Sequence, residues 1–184
     1  MEFWIGLVVI ILLVLYAIAV FNRLVTKRNR VKNAWAQIDV QLKRRHDLIP
    51  NVVDTVKGYL RYEQETLERI TRARQAAITA GSEIGARAAA ENVLTQAMRS
   101  LFAVAEAYPD LKANQNMLAL QEELSSTENK IAFARQFYND AVMEYNTAHE
   151  AFPGNLFAST FSFARESLFA LEDPTERAVP QVQF

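Results

Sequence analysis

The chain contains no cysteine among its 184 residues. That excludes a disulfide, a thiol nucleophile, a cysteine-based zinc or iron–sulfur site and a lipidated cysteine anchor. Glycine and proline are also scarce, at five each, where average usage gives roughly 13 and 9. Loops are therefore few and long helices are expected. Two histidines leave little for a histidine-rich metal site. Charge of one sign is lacking too. The net charge of −1 gives no global pull towards nucleic acid.

What is present begins at the N-terminus. Phe3 to Phe21 reads FWIGLVVIILLVLYAIAVF, 19 residues with no charge. As a helix this run covers about 28 Å, close to the ~30 Å hydrocarbon core of a bilayer. Trp4 and Tyr16 carry polar tips suited to an interface, although Tyr16 lies deep. A cleaved signal peptide is the competing reading, since Ala17-Ile18-Ala19 offers a small-x-small pattern. Against it, the start has acidic Glu2 and no basic residue, and the run is longer than a signal core. A retained anchor is expected. Arg23, Lys27, Arg28, Arg30 and Lys32 follow the span. The positive-inside rule then puts the rest of the chain in the cytoplasm and the short N-terminus outside. These cations set topology, and near the surface they could also hold anionic head groups.

The chain is charge-polarised. Residues 22–50 hold eight basic and two acidic side chains, and residues 83–150 hold five basic and ten acidic. Apolar spacing is helical throughout. Val31, Trp35, Ile38, Leu42, His46, Ile49, Val53, Val56, Leu60, Leu67 and Ile70 follow one another at about 3.5 residues per step. The step from Leu60 to Leu67 is counted as two. Pro50 interrupts this stripe and should kink or break the helix. Because the stripe stays in phase, a kink is favoured, with the helix running on to about Thr79 and Gly81 as a left-handed cap. A second helix is expected from Ser82 or Glu83 to about Ala107, with Leu94, Met98, Leu101, Ala105 and Tyr108 inward. A third is expected from Pro109 to His149, where Leu124, Ile131, Tyr138 and Tyr145 repeat every seven residues beside Gln121, Glu128, Arg135 and Val142. Phe152-Pro153-Gly154 should end it. A short helix is expected over Leu156 to Phe169, stopped by Asp173-Pro174. The divisions are an anchor over 1–22, a helical bundle over 23–172 and a flexible tail over 173–184.

Polar residues interrupt these stripes. Arg45 and His46 lie on the first inner face, with Glu63 at its edge, and Glu128 and Arg135 lie in the third helix's seam. Opposite charges on antiparallel helices could meet there and fix register. Alternatively, the long side chains snorkel at the bundle edge, or they bind a ligand. Lys43-Arg44-Arg45 begins 22 residues past Phe21, about 33 Å along a straight helix, so it reads as a solvated or partner-facing charge run. The Tyr138-Asn139 and Tyr145-Asn146 pairs read as core packing with hydroxyls at the edge.

Motifs for chemistry are missing. Neither His46 nor His149 has Glu three residues before it, as a ferritin-type di-iron bundle needs. There is no phosphate loop, dinucleotide fingerprint, His-Glu-x-x-His or Gly-x-Ser-x-Gly. No catalytic residue, metal site or cofactor is expected, and the chain does not read as an enzyme.

Residues 31–59, VKNAWAQIDVQLKRRHDLIPNVVDTVKGY, resemble the opening signature of the LemA family of bacterial membrane proteins. Residues 106–146, EAYPDLKANQNMLALQEELSSTENKIAFARQFYNDAVMEYN, resemble its second signature, and Phe152-Pro153-x-Asn155 with Phe161-Ser162-Phe163 resemble its C-terminal one. Met117 stands where that pattern has Phe, and Tyr62 where it has His. The resemblance implies an all-α fold, an antiparallel four-helix up-and-down bundle behind an N-terminal transmembrane helix, in a single-pass inner-membrane protein. It implies no established activity. Some relatives are linked to magnetosome membrane formation, which suggests a membrane-organising role for part of the family.

The expected function is a non-enzymatic, membrane-anchored helical scaffold. Its partners would be the lipid bilayer and either further copies of itself or a membrane protein, with no nucleic acid. The alternative is a sensor or regulatory subunit whose bundle binds a ligand or a cytoplasmic signalling partner.

Overall fold

The computed structural model describes residues 1–60, 63–81 and 83–169. Among these the chain is all-α, with six helices and no strand. They are α1 (Glu2–Lys57), α2 (Gln64–Thr79), α3 (Ile84–Ala105), α4 (Pro109–Lys112), α5 (Gln115–Glu150) and α6 (Gly154–Thr160). The expected tail over 173–184, the stop at Asp173-Pro174, a start at Ser82 and the departure at Tyr62 lie outside the described residues. The helices fall into two compact units. One comprises residues 1–40 and 131–168, and the other comprises 41–130 with Phe169.

In the second unit, the end of α1, α2, α3 and the start of α5 surround one apolar core. Leu48, Ile49, Val52 and Val56 meet Leu67, Ile70, Leu94, Leu101 and Leu124, all buried. Full burial of such a side chain contributes about 1.5–3 kcal/mol. Four helix segments do pack together, but the expected set is three long helices and a short aromatic one, whereas here α2 is a helix of its own and nothing from α6 enters this core.

The first helix does not run on past Pro50 to Thr79 as expected. The helix passes through Pro50 and ends at Lys57, so there is no single helix from the span to Thr79. A proline at position 50 leaves the carbonyl of residue 46 without its usual donor. Arg74 on α2 supplies one, donating from Nε to the His46 carbonyl at 2.7 Å. The helix stops instead at Gly58, where the amides of Tyr59 and Leu60 both donate to the Val56 carbonyl at 2.9 Å. Leu60 stays buried. The seven-residue step to Leu67 is therefore the gap between two helices.

Gly81 has φ +76°, the left-handed conformation expected of it after α2. Glu83 then caps α3, its carboxylate accepting from the amides of Gly85 at 2.9 Å and Ala86 at 2.5 Å. Those two donors hold the Glu83 carboxyl below its ordinary pKa. The third predicted helix is also divided. α4 ends at Lys112, and Asn114 starts α5 by accepting at Oδ1 from the amides of Asn116 (2.9 Å) and Met117 (3.1 Å). A side-chain acceptor of this kind restarts a helix by satisfying donors of its first turn.

In the first unit, α1 carries the apolar run, and residues 1–16 are exposed along their whole length. Beyond it, Trp35 packs edge-on against Tyr138, with ring centroids 5.4 Å apart. α5 ends at Glu150, just before Phe152-Pro153-Gly154 as expected. Gly154 is required there, because a Cβ would lie 1.9 Å from the Ala148 carbonyl oxygen.

The aromatic segment is not one helix. α6 ends at Thr160, and residues 163–169 continue without regular structure. The helical spacing of Leu156 to Phe169 misleads because α5 offers this stretch other partners. The Tyr138 hydroxyl donates to the Ser167 carbonyl (2.8 Å), Tyr145 to Ala164 (2.8 Å) and Asn146 Nδ2 to Glu166 (2.9 Å). The Glu166 amide donates back to Asn146 Oδ1 at 3.1 Å, and His149 Nε2 lies 2.9 Å from the Phe163 carbonyl. Burial and then the nearby Glu166 push the Tyr138 hydroxyl up to about 12, so it remains a donor at ordinary pH. Tyr138, Tyr145, Asn146 and His149 thus form a ladder that ties down a strap of the chain's own backbone. Replacing Asn146 with alanine removes both bonds to residue 166 and should cost about 1–2 kcal/mol. Hydrogen exchange checks it, because the Glu166 amide should lose its protection while helix amides keep theirs.

Candidate functional site

The most unusual polar arrangement lies inside the second unit. Arg45 on α1 projects between α3 and α5, where its side chain is 3% exposed. Nη2 contacts Glu91 Oε2 on α3, whose side chain is 5% exposed. Nη1 donates to Glu128 Oε1 on α5 at 2.8 Å and to Thr95 Oγ1 at 3.0 Å. The Thr95 hydroxyl itself donates to the Glu91 carbonyl at 3.0 Å. His46, the next residue on α1, places Nε2 at 2.9 Å from Glu91 Oε1. Glu128 differs from Glu91 in being 43% exposed.

Burial opposes ionisation of Glu91, but the contact with His46 and the charge of Arg45 outweigh it. Its carboxyl is held below the ordinary value. Burial likewise opposes the charge on Arg45, and Glu128 and Glu91 reverse the effect, leaving its pKa raised. The cluster thus sets one buried guanidinium against two carboxylates, only one of which is buried. Desolvation offsets much of the attraction in such pairs, so the cluster is weak evidence of net stabilisation.

The sequence-derived residues divide as follows. Arg45, His46 and Glu128 come together. Glu63 is half-buried and precedes α2 without making a side-chain cap bond. It does not join the cluster, because the helix on whose edge it was placed has already ended. Arg135 is half-buried two turns beyond Glu128 on α5, in the other unit. Of the cations after the apolar run, Lys27 and Arg30 both bond Glu144, at 3.0 and 2.9 Å. These contacts lower the Glu144 carboxyl pKa. Arg28 lies over the Phe163 ring, 4.9 Å from its centroid. Arg23 and Lys32 are exposed, as are Phe3, Trp4 and Tyr16, while Phe21 is partly covered.

Sequence reasoning missed Glu91 and Arg74. Both had a signal. Glu91 stands three residues before Leu94 on the α3 stripe, and the orphaned carbonyl created by Pro50 requires a donor.

Chemically, the cluster is a guanidinium held by two carboxylates. Among the described residues, no group of three or more His, Asp or Glu is placed to hold a metal ion.

The model of the LemA family matches residues 34–184. The chain is also similar to "Protein LemA" of Metamycoplasma hominis, at 26% identity over 148 residues, covering 80% of this chain and 68% of that protein. With the family match spanning most of the sequence, the all-α fold and the apolar N-terminal helix find their place: the chain belongs to the LemA family.

Proposed function

We propose that this is a membrane-anchored helical scaffold. The apolar run would stay in the bacterial inner membrane as a single-pass tether, and the helical part would lie in the cytoplasm. One observation carries this reading. α1 is long and apolar enough to cross a membrane, and its apolar window has no part buried inside the protein. A core helix of a soluble protein would be covered. Basic residues follow the run on one side only, which supports the cytoplasmic placement. A partner surface is supported by α5, where Phe133 is 72% exposed and Phe137, one turn on, is 37% exposed. Apolar side chains so placed suit self-association or a membrane partner.

The test is fractionation of cells making the full chain with a C-terminal tag. It should stay in the membrane pellet through alkaline carbonate, keep its N-terminal residues by mass spectrometry, and lose the tag to protease only after the cells are opened. Release by carbonate, or a mature start after Ala19, would overturn the tether.

A second reading, a sensor or regulatory subunit, is favoured by a groove of about 400 Å³ between α3 and α5. Thr95 and Glu128, both partners of Arg45, line it with Met98 and Phe102. A ligand there would act directly on the ion cluster. Stabilisation of a monomer by a small molecule supports the sensor, and concentration-dependent melting supports the scaffold.

A further inference from the structure

We infer that the α5–α6 turn is a second membrane contact, an apolar lip that enters the interfacial layer of the leaflet beside the apolar run; this rests on the tether reading above. The lip is built from Phe152, Leu156 and Phe161, which are 79%, 56% and 55% exposed. Phe152 in the turn, Leu156 on α6 and Phe161 just after it are three large apolar side chains left uncovered, which costs free energy in water.

Contacts within the first unit fix the height of the lip. Phe161 packs on Phe21, the last residue of the apolar run, with ring centroids 4.9 Å apart. A Cβ added to Gly154 would lie 3.9 Å from a Leu24 methyl. Leu24 is three residues past Phe21, about 4.5 Å along the axis. The lip is therefore level with the place where an embedded span would leave the hydrocarbon. A recess of about 710 Å³ separates the turn from α1, with walls that include Tyr16, Val20, Met143 and Phe152. Arg23, which is exposed, and Lys27, which is bonded to Glu144, line the same recess together with Asp140 and Glu144, at the height expected for phosphate groups. Apolar rings beside cations are the composition of an interfacial anchor.

The occupant is lipid, because the patch continues the apolar surface of the run rather than standing apart from it. The side chains that extend that surface are the ones the protein leaves uncovered.

The natural absence of cysteine makes the test direct. Single variants Phe152→Cys, Leu156→Cys, Gln136→Cys and Leu13→Cys of the full chain are spin-labelled and placed in vesicles of phosphatidylethanolamine and phosphatidylglycerol. Collisions with oxygen, which partitions into lipid, and with a water-soluble nickel complex report depth. The labels at 152 and 156 should meet nickel several-fold less often than the label at Gln136, an exposed site on α5, and should lie shallower than the label at 13. Two lip positions guard against one variant misfolding, which circular dichroism would reveal. If 13 lies in lipid but 152 and 156 match 136, the lip is in water and the inference fails while the tether stands. If 13 is in water, the tether itself fails. If the lip labels broaden one another between molecules, the occupant is a second copy and the lipid assignment is overturned.

Discussion

Replacing Glu91 with alanine should lower the unfolding free energy by about 3–5 kcal/mol, the cost of breaking a buried ion pair by removing one member. Arg45 would be left inside the second unit with only Glu128 and Thr95 as polar partners. Because Glu128 remains, the lower end of that range is expected. The measurement is urea unfolding of the full chain in detergent, followed by circular dichroism. Two comparisons isolate the cause. Glu128→Ala removes a carboxylate that is 43% exposed and should cost only about 0–1 kcal/mol. The double change Arg45→Met with Glu91→Leu removes both charges and should restore most of the loss, since well-packed apolar replacements of buried pairs are often neutral. If the double variant is as unstable as Glu91→Ala, packing rather than the stranded charge is responsible.

Acid provides an independent view of the same pair. The Glu91 carboxyl titrates below its ordinary value in the folded protein. The folded state therefore binds this proton less readily than the unfolded chain does. The resulting stabilisation is complete above the ordinary carboxylate value and is lost as pH falls through it towards the folded value. Glu91→Gln should flatten stability against pH in that acid window and leave the slope at neutral pH unchanged.

The second large effect concerns Pro50 and Arg74. Arg74→Met strands the His46 carbonyl and should cost about 1–3 kcal/mol, the penalty for an unsatisfied part-buried acceptor. In a Pro50→Ala background the backbone amide of residue 50 is present and can serve that carbonyl. Arg74→Met should then cost far less. The difference between the two losses is the coupling energy of a double-mutant cycle. Equal losses in both backgrounds would show that Arg74 acts elsewhere.

These two cases explain how far the sequence could be read. Spacing alone located the apolar faces, because each face had to be buried and only helical periodicity fits Val31 to Val56. It also picked out Arg45, His46 and Glu128, since polar residues on an apolar stripe stand out. Spacing could not place helix ends. The stripe is in phase across Gly58, so Leu60 and Leu67 look continuous although α1 ends at Lys57 and α2 begins at Gln64. Pro50 reads as a kink in a helix that runs on to Thr79, because local propensity shows neither the end at Lys57 nor the donor that reaches the His46 carbonyl from Arg74. The division at Asn114 was legible as a capping residue but was outweighed by the seven-residue repeat that follows it. The strap after α6 was hidden for a different reason. Its partners are carbonyl groups, and a sequence pattern does not display the needs of the main chain.

The strap has a consequence for tolerance to change. Tyr138, Tyr145, Asn146 and His149 grip groups that every amino acid possesses, and the side chains of Ala164, Ser167 and Leu168 are exposed, while Arg165, also exposed, bonds Glu150 and is kept in place. Wording is therefore free along that stretch while the spelling of the four grips is not. A shuffled order of the other three exposed residues should seat as well as the native one. Glu166→Pro is the exception, because it deletes the single N–H that the ladder asks the strap to contribute.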